Sequence, residues 1–143
     1  MHLRPRLRKS LGVKITTNTF YIRATALAVK KYPLMVGKIN GDKIKIAEDI
    51  NVGFAVSASY GLVVPVIKNA DQKSLPELAK LENQLTQKAH SRTLTFDDIQ
   101  GETIALSNLG SFDIDSFIGI IPPPASTIIS VGNPIEEVVV RKG

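Results

Sequence analysis

The order of the apolar segments constrains the fold most, because two helix-length patterns alternate with strand-length runs. The first helix pattern follows Thr16-Thr17-Asn18, any of which can cap a helix, and continues to about Tyr32, where Pro33 ends it. Apolar side chains cover most of its circumference, which predicts a buried helix. They are Phe20, Ile22, Ala24, Ala26, Leu27, Ala28 and Val29.

The second helix pattern opens with Ser74-Leu75-Pro76-Glu77, a capping box with proline in its first turn. The helix is predicted to run to about residue 90, with Leu78, Leu81 and Leu85 on its apolar face. Glu82, Gln84 and Gln87 are predicted to lie off that face. Two shorter helical segments are predicted over 3–11 and 95–98.

The strand-length runs form hairpins and single strands. Asn40-Gly41 is a strong hairpin signal between 36–39 and 44–46, and the alternation over 43–46 predicts a half-buried strand. Ser59-Tyr60-Gly61 joins 52–58 to 62–67, where Pro65 predicts an edge position or a bulge. Buried strands are predicted at 103–107 and 127–131, and a last strand at 138–140. The fold class is therefore α/β or α+β, with a mixed or largely antiparallel sheet.

Composition narrows the possible chemistry. A chain of 143 residues fits one domain, and no apolar run reaches the roughly 18–20 residues of a membrane-spanning helix. The absence of cysteine excludes disulfides, zinc–thiolate sites, iron–sulfur clusters and a cysteine nucleophile. The net charge of +5 favours anionic partners, such as nucleic acid, phosphorylated cofactors or acidic protein surfaces, without choosing among them.

Few residues are candidates for catalysis. His90 falls at a predicted helix C-terminus, where interaction with the helix dipole is the expected role, and neither it nor His2 belongs to a metal-ligand pair. The adjacent Asp97 and Asp98 point to different sides, which favours a polar loop over paired acids. The segment Ser107-Asn108-Leu109-Gly110 is more informative. Its strand delivers hydroxyl and amide donors to a glycine-assisted turn, where they can bind an oxyanion, although these residues are also common in turns.

Several segments, taken in order, resemble the acyltransferases (E2, dihydrolipoamide acyltransferases) of 2-oxoacid dehydrogenase complexes. They are GVKIT at 12–16 with a helix ending KKYP at 30–33, NVGFAV at 51–56, GLVVPVIKNAD at 61–71, the helix at 75–85, IALSNLGSF at 104–112, IIPPPA at 120–125 and IISVG at 128–132. The resemblance covers nearly the whole chain and identifies it as a member of that family.

The resemblance implies a chloramphenicol-acetyltransferase-like fold, a two-layer mixed sheet with helices on one face, built as a trimer. Family members move an acyl group between a dihydrolipoyl arm and coenzyme A. A histidine of one subunit activates the thiol, and a serine of its neighbour stabilises the oxyanion. That serine corresponds to Ser107, with Asn108 and Gly110 shaping its turn. Weaker substrate-binding candidates along the channel are Gly61, Leu62 and Pro65.

The same resemblance implies the substrates and partners. Coenzyme A and the lipoyl group are expected as substrates, without a metal, and the basic excess suits the phosphates of coenzyme A. A homotrimer or larger assembly, a lipoyl domain and the E1 and E3 components are the expected partners, with no nucleic acid and no membrane. The expected location is the cytoplasm, or the mitochondrial matrix in a eukaryote.

Two departures from the family pattern qualify this expectation. The 143 residues contain no His-x-x-x-Asp-Gly sequence, and Pro122 stands where the family has asparagine before two prolines. We therefore expect one partial catalytic domain over 1–143, truncated at both ends, without lipoyl or subunit-binding domains, and inactive or nearly so alone. The alternatives are a non-catalytic assembly or coenzyme A-binding module of the same fold, and nucleic-acid binding through the basic N-terminus.

Overall fold

The computed structural model describes residues 12–140, so the helix predicted over 3–11 and His2 lie outside the described residues. Both long helices are confirmed: α1 spans Thr17–Lys31 and α2 spans Leu75–Ser91. Short 3-10 helices cover Pro33–Val36, Ala70–Gln72 and Asp97–Ile99. The last of these confirms the helical turn predicted near residues 95–98.

Eight strands lie within residues 12–140. They are β1 (Gly37–Asn40), β2 (Lys43–Ile46), β3 (Val52–Phe54), β4 (Val56–Ala58), β5 (Gly61–Val63), β6 (Val66–Ile67), β7 (Ile104–Asn108) and β8 (Ile128–Val131). A four-stranded sheet has the order β6-β3-β7-β8, in which β3, β7 and β8 are parallel and β6 is antiparallel. The strand pairs β1–β2 and β4–β5 form separate antiparallel hairpins. The mixed sheet agrees with the sequence prediction.

Both helices pack on the same face of the four-stranded sheet. Val52 and Phe54 of β3 and Leu106 of β7 are buried in one core with residues of both helices. Gly53 and Ala105, at the alternate positions, face the other way, because successive residues of a strand point to opposite sides. The residues contributed by the helices are Ile22, Ala26, Val29, Leu78, Leu85 and Ala89. Neither long helix covers the opposite face of the sheet, which is therefore available for a functional site.

Helix α1 begins and ends where the sequence predicts. Thr16 caps it, accepting a hydrogen bond from Thr19 N at 3.0 Å, and Tyr32 is its C-cap. Its buried residues form a stripe rather than a full circumference, and Leu27 is 45% exposed. The prediction of a helix buried on most sides is therefore wrong. Alanine exposes little apolar surface, so it is tolerated on the side that faces solvent.

Helix α2 is held to the start of α1 by a carboxylate. Glu82 is 7% exposed, although the sequence pattern predicted it off the apolar face, so that prediction is wrong. Thr16 Oγ1 donates to both oxygens of Glu82, at 2.8 and 2.9 Å, and Thr19 Oγ1 also donates to the same carboxylate. The burial is compatible with charge because hydroxyl donors surround the carboxylate. These donors lie at the start of α1, so the periodicity of α2 alone does not predict the burial of Glu82.

Replacing this carboxylate tests its contribution to stability. Glu82→Ala is expected to lower the free energy of unfolding by about 2–3 kcal/mol, because hydrogen bonds to a charged group are lost and two threonine hydroxyls lose a partner. The measurement is urea denaturation followed by circular dichroism. Gln84→Ala is the matched control, since Gln84 is exposed on the same helix. An equal effect of the two substitutions would show that the Glu82 cluster contributes no special stability.

The Asn40-Gly41 hairpin is confirmed, with Asn40 opposite Lys43 and Gly41 at φ +64°. The half-burial expected of the strand at 43–46 is found only at its end, because Ile44 is 61% exposed whereas Ile46 packs against the core. Alternation predicts a strand with an apolar face, but it does not state whether another element covers that face.

The remaining strands differ in detail from prediction. The pair at 52–58 and 62–67 is present but divided, since Ala55 separates β3 from β4 and Val64-Pro65 separates β5 from β6. Pro65 directly precedes β6, an edge strand of the four-stranded sheet, which agrees with the predicted edge position. The strand predicted at 127–131 is present as β8 (Ile128–Val131), but it is half-buried rather than buried. The strand predicted at 138–140 is absent: Val138 is 103% exposed, and no described strand pairs with this segment. A β-branched run forms a strand only where a neighbour accepts its hydrogen bonds.

Candidate functional site

Ser107 lies near the carboxyl end of the central strand β7, on the face without helices. Leu106, its neighbour, is buried against the helices, whereas Ser107 is half-buried and pairs in register with Ser130 of β8. Ser107 Oγ has no hydrogen-bond partner among residues 12–140. A hydroxyl held on a central strand with its donor free can bind an oxygen of a ligand.

The turn after Ser107 is fixed by short-range hydrogen bonds. Gly110 N donates to Asn108 Oδ1 at 3.0 Å, and Leu109 N donates to the carbonyl of Val131 at 2.9 Å. A Cβ atom on Gly110 would lie 2.7 Å from the carbonyl oxygen of Gly132, so a side chain there forces the backbone apart. The turn therefore holds Asn108 against a rigid backbone, as the sequence pattern suggested.

A cavity of about 470 Å³ lies beside Ser107 on this face of the sheet. Leu62, Ser107 and Asn108, three of the residues proposed from the sequence, line it together. Its floor includes the small residues Ala55 and Ala105. Its apolar walls include Val64, Phe112, Phe117, Ile118, Ile120 and Ile128. The arrangement offers the hydroxyls of Ser107 and Ser57 to an otherwise largely apolar chamber.

The other three proposed site residues do not line this cavity. Gly110 acts through the turn. Gly61 has φ +133°, a conformation that favours glycine, and it begins the strand that brings Leu62 to the cavity. Pro65 is buried, and its carbonyl accepts a hydrogen bond from Phe54 N at 3.0 Å. Their positions suit a supporting role more than direct contact with a ligand.

A second cavity, of about 310 Å³, adjoins the first and is more polar. Thr86, His90 and Ser111 line it, and it shares Ser57, Asn108 and Phe112 with the cavity beside Ser107. His90 is exposed and lies in the last turn of α2, where its helix-dipole role was predicted. The sequence did not predict that His90 and Asn108 line the same cavity, because the residues between them give no signal of how α2 and β7 are placed.

The model of the 2-oxoacid dehydrogenases acyltransferase family (catalytic domain) matches residues 1–143. The chain belongs to this family. One relative is the lipoamide acyltransferase component of the branched-chain alpha-keto acid dehydrogenase complex from Bacillus subtilis, which is 39% identical to this chain over 133 residues. The matched residues are 93% of this chain and 31% of that protein. The chain spans about a third of the length of the curated relatives it matches.

Solved structures of family members have the same fold. The dihydrolipoamide acetyltransferase of Azotobacter vinelandii superposes with a TM-score of 0.87 at 32% identity, over 92% of this chain and 56% of that one. The cubic core of the pyruvate dehydrogenase multienzyme complex gives a TM-score of 0.90 at 31% identity, over 96% of this chain and 59% of that one. The family and the fold class inferred from the sequence are both confirmed.

Several residues that line the cavity beside Ser107 were not identified from the sequence. Ser57 of β4 and Val64, which follows β5, line it, as do Ile118 and Ile120 from the long loop between β7 and β8. The strand residues were predictable in principle, because they lie on the face opposite the buried positions. The loop residues were not, because the path of a long loop over a surface leaves no periodic signal.

The acids of residues 12–140 are dispersed rather than paired for catalysis. Lys68 forms an ion pair with Asp97, and its hydrogen bond holds the pKa of Asp97 below the ordinary value. Asp98 instead pairs with Lys88, at 2.9 Å. The described residues contain no group of three or more His, Asp or Glu that could hold a metal ion. No helix in this part of the chain is long and apolar enough to cross a membrane.

One buried acid lies outside both cavities. Glu102 is 6% exposed, and its Oε2 has no hydrogen-bond partner among the described residues. Burial raises the pKa of Glu102 to about 6, against the opposing charge of Lys38. A Cβ atom at Gly53 would lie 2.1 Å from Glu102 Oε2, so only glycine leaves room for this carboxyl.

The raised pKa of Glu102 makes stability depend on pH. The folded state favours the protonated acid, so this stabilisation is complete below pH 4.5 and is lost as pH rises to about 6. Glu102→Gln is expected to remove that decline and to raise the free energy of unfolding at pH 7.5 by up to about 2 kcal/mol. Urea denaturation between pH 4.5 and 7.5 measures both effects. Glu136→Gln, an exposed change, is the control, and equal pH profiles for the wild type and Glu102→Gln would contradict the assignment.

Proposed function

We propose that the cavity beside Ser107 is the site at which this family member transfers an acyl group between a dihydrolipoyl thiol and coenzyme A. The observation that supports the proposal most is Ser107 itself, whose hydroxyl has no partner among residues 12–140 and lies on the wall of an apolar cavity. A thioester bound there would meet a donor that no intramolecular contact occupies.

Acyl transfer between two thiols requires that the cavity position the thioester and supply one hydrogen-bond donor to the oxyanion. A thiolate attacks the thioester carbonyl carbon, a new C–S bond forms, and the carbonyl oxygen becomes an oxyanion. Ser107 Oγ–H donates a hydrogen bond to that oxygen, and the oxyanion then collapses as the old C–S bond breaks. Asn108 and Gly110 hold the turn at the end of the strand, so Ser107 does not reorganise during the step.

Relatives support the assignment of roles. The Azotobacter vinelandii dihydrolipoamide acetyltransferase structure was solved to investigate a serine, a histidine and an asparagine in its catalytic mechanism. Ser107 takes the serine's place in this proposal. The histidine that takes up the thiol proton belongs to a His-x-x-x-Asp-Gly segment, which the 143 residues do not contain.

Assembly follows the same reasoning. A cubic core is the assembly of the pyruvate dehydrogenase relative, and we extend oligomerisation, as a homotrimer or a multiple of it, to this chain. A lipoyl domain then delivers the acyl group, and the E1 and E3 components complete the cycle. Coenzyme A supplies the second thiol, and the net charge of +5 suits its phosphates.

The role of Ser107 is tested in a hybrid chain, in which a segment carrying the family's His-x-x-x-Asp-Gly motif follows Gly143. Ser107→Ala in the hybrid is expected to reduce kcat for acyl transfer to dihydrolipoamide by about 10²–10³-fold, because one oxyanion donor is removed. The rate is followed as loss of the acyl-coenzyme A thioester.

Ser111→Ala is the matched control, because Ser111 follows the same turn, is exposed and does not line the cavity beside Ser107. It is expected to change kcat less than threefold or so. Equal rates for Ser107→Ala and the unmodified hybrid would refute the role of Ser107. Coenzyme A binding without any turnover in the hybrid would favour the non-catalytic module instead.

A further inference from the structure

The walls of the cavity beside Ser107 are uncharged. None of the described residues that line it is Asp, Glu, Lys, Arg or His, and its polar side chains are Ser57, Ser107 and Asn108. Ser107 is assigned to the thioester oxygen, and Asn108 Oδ1 already accepts a hydrogen bond from Gly110 N. The Ser57 hydroxyl and the Asn108 side-chain amide N–H groups remain for the acyl chain, and both are neutral donors; no cation among residues 12–140 lines the cavity.

A charged acyl group is poorly matched to such walls. A carboxylate moved from water into an apolar chamber loses its hydration, and neutral donors do not replace a cationic partner. We propose that this cavity selects a neutral, branched aliphatic acyl group and discriminates against an anionic one such as succinyl, an inference that rests on the function proposed above.

The size of the cavity adds a preference among neutral groups. Its volume of about 470 Å³ far exceeds an acetyl group, and its floor is kept open by Ala55, Ala105 and Gly119. Leu62, Val64 and Phe117 supply apolar contacts around that space. Each additional buried CH₂ strengthens binding about fourfold, so an isobutyryl group, with two more carbons than acetyl, gains up to about fifteenfold.

The neighbouring polar cavity offers an alternative path for the acyl chain, with the opposite substrate preference. It contains His90 and shares Ser57, Asn108 and Phe112 with the cavity beside Ser107. An acyl chain that crossed this shared wall would bring a terminal carboxylate to an imidazole. A preference for succinyl, abolished by His90→Leu, is the result expected from that path and would overturn the proposal.

Binding to the 143-residue chain tests the proposal directly. The ligands are S-acetyl-, S-isobutyryl- and S-succinyl-dihydrolipoamide, titrated by calorimetry at pH 7.5. The expected order of affinity is isobutyryl, then acetyl, then succinyl, with succinyl at least tenfold weaker than isobutyryl. Equal affinities, or tighter binding of succinyl, overturn the selectivity and leave the proposed function standing. Absence of binding for all three overturns both.

A charge introduced at the cavity mouth provides the second test. Leu62 is 71% exposed and lines the cavity, so Leu62→Lys places a cation there at little risk to folding. It is expected to strengthen succinyl binding at least fivefold and to weaken isobutyryl binding. Leu34→Lys is the matched control, since Leu34 is 70% exposed and does not line the cavity. An equal change in both variants would show that the effect is not local and would overturn the proposal.

Discussion

A polypeptide of these 143 residues alone is expected to transfer acyl groups about 10²–10⁴-fold more slowly than the hybrid chain that includes the His-x-x-x-Asp-Gly segment. Ser107 is proposed to stabilise an oxyanion, but none of the described residues that line its cavity is a His, Asp, Glu or Lys that could take the thiol proton. Only the two histidines His2 and His90 occur in the sequence, and His90 lines the neighbouring cavity rather than that of Ser107. The comparison measures kcat with acetyl-, isobutyryl- and succinyl-coenzyme A as donors.

The control is the same hybrid with the histidine of its added segment replaced by alanine, which is expected to fall to the rate of the 143-residue chain. Similar turnover by the 143-residue chain and the intact hybrid would contradict the prediction. Another base would then have to act, and His90→Ala would test the first candidate. Because dihydrolipoamide thiols also ionise as pH rises, the comparison is made at several pH values, where a missing base shows as a rate proportional to thiolate.

The largest expected loss of stability follows the removal of Phe54. This side chain lies on β3 at the centre of the core, is 1% exposed and packs between the sheet and the helices. Phe54→Ala is expected to lower the free energy of unfolding by about 3–5 kcal/mol, the sum of lost burial and an unfilled cavity. Much or all of the stability of a domain of this size is then lost, since native domains are stable by about 5–15 kcal/mol.

Phe96→Ala is the matched control, because Phe96 is 74% exposed and belongs to no buried cluster among the described residues. Its expected effect is within about 0.5 kcal/mol. Urea denaturation compares the three proteins by their transition midpoints. Losses of similar size in both variants would mean that Phe54 does not anchor the core. Because Phe54 also lines the polar cavity, ligand affinities are best compared in other variants.

Local chemistry explains which parts of the fold were predictable. A cap within Thr16-Thr17-Asn18, the helix end at Tyr32 and the Asn40-Gly41 turn depend on a few neighbouring residues, so the sequence predicts them. Which of the three residues is the cap, Thr16, is seen only in the structure. Glu82 and the segment 138–140 depend on distant partners. Glu82 is buried because Thr16 and Thr19 lie against it, and 138–140 is not a strand because no described strand pairs with it. A periodic pattern contains neither kind of information.

The candidate site likewise contains residues that the sequence identified and features that only the structure shows. Ser107, Asn108 and Gly110 were identified through a strand, its polar end and a resemblance of motif, and the structure assembles them into one turn. Leu62 was identified by resemblance, and it lines the same cavity as Ser107 from the β4–β5 hairpin. The neutrality of the cavity could not be read in advance, since it depends on which residues of a long loop lie inside. The adjoining His90 cavity likewise exists only once α2 is docked.

The parallel pairing of β3 with β7 also governs how quickly the chain reaches its native state. Val52 lies opposite Ile104, so a loop of about fifty residues must close before the first hydrogen bond between these strands forms. These two strands therefore pair late, whereas the Asn40-Gly41 hairpin and the β3–β6 pair, in which Val52 lies opposite Ile67, close over much shorter separations. Refolding is therefore governed by the docking of distant segments. During that interval the edges of β3 and β7 are open to other molecules, which favours refolding at low protein concentration.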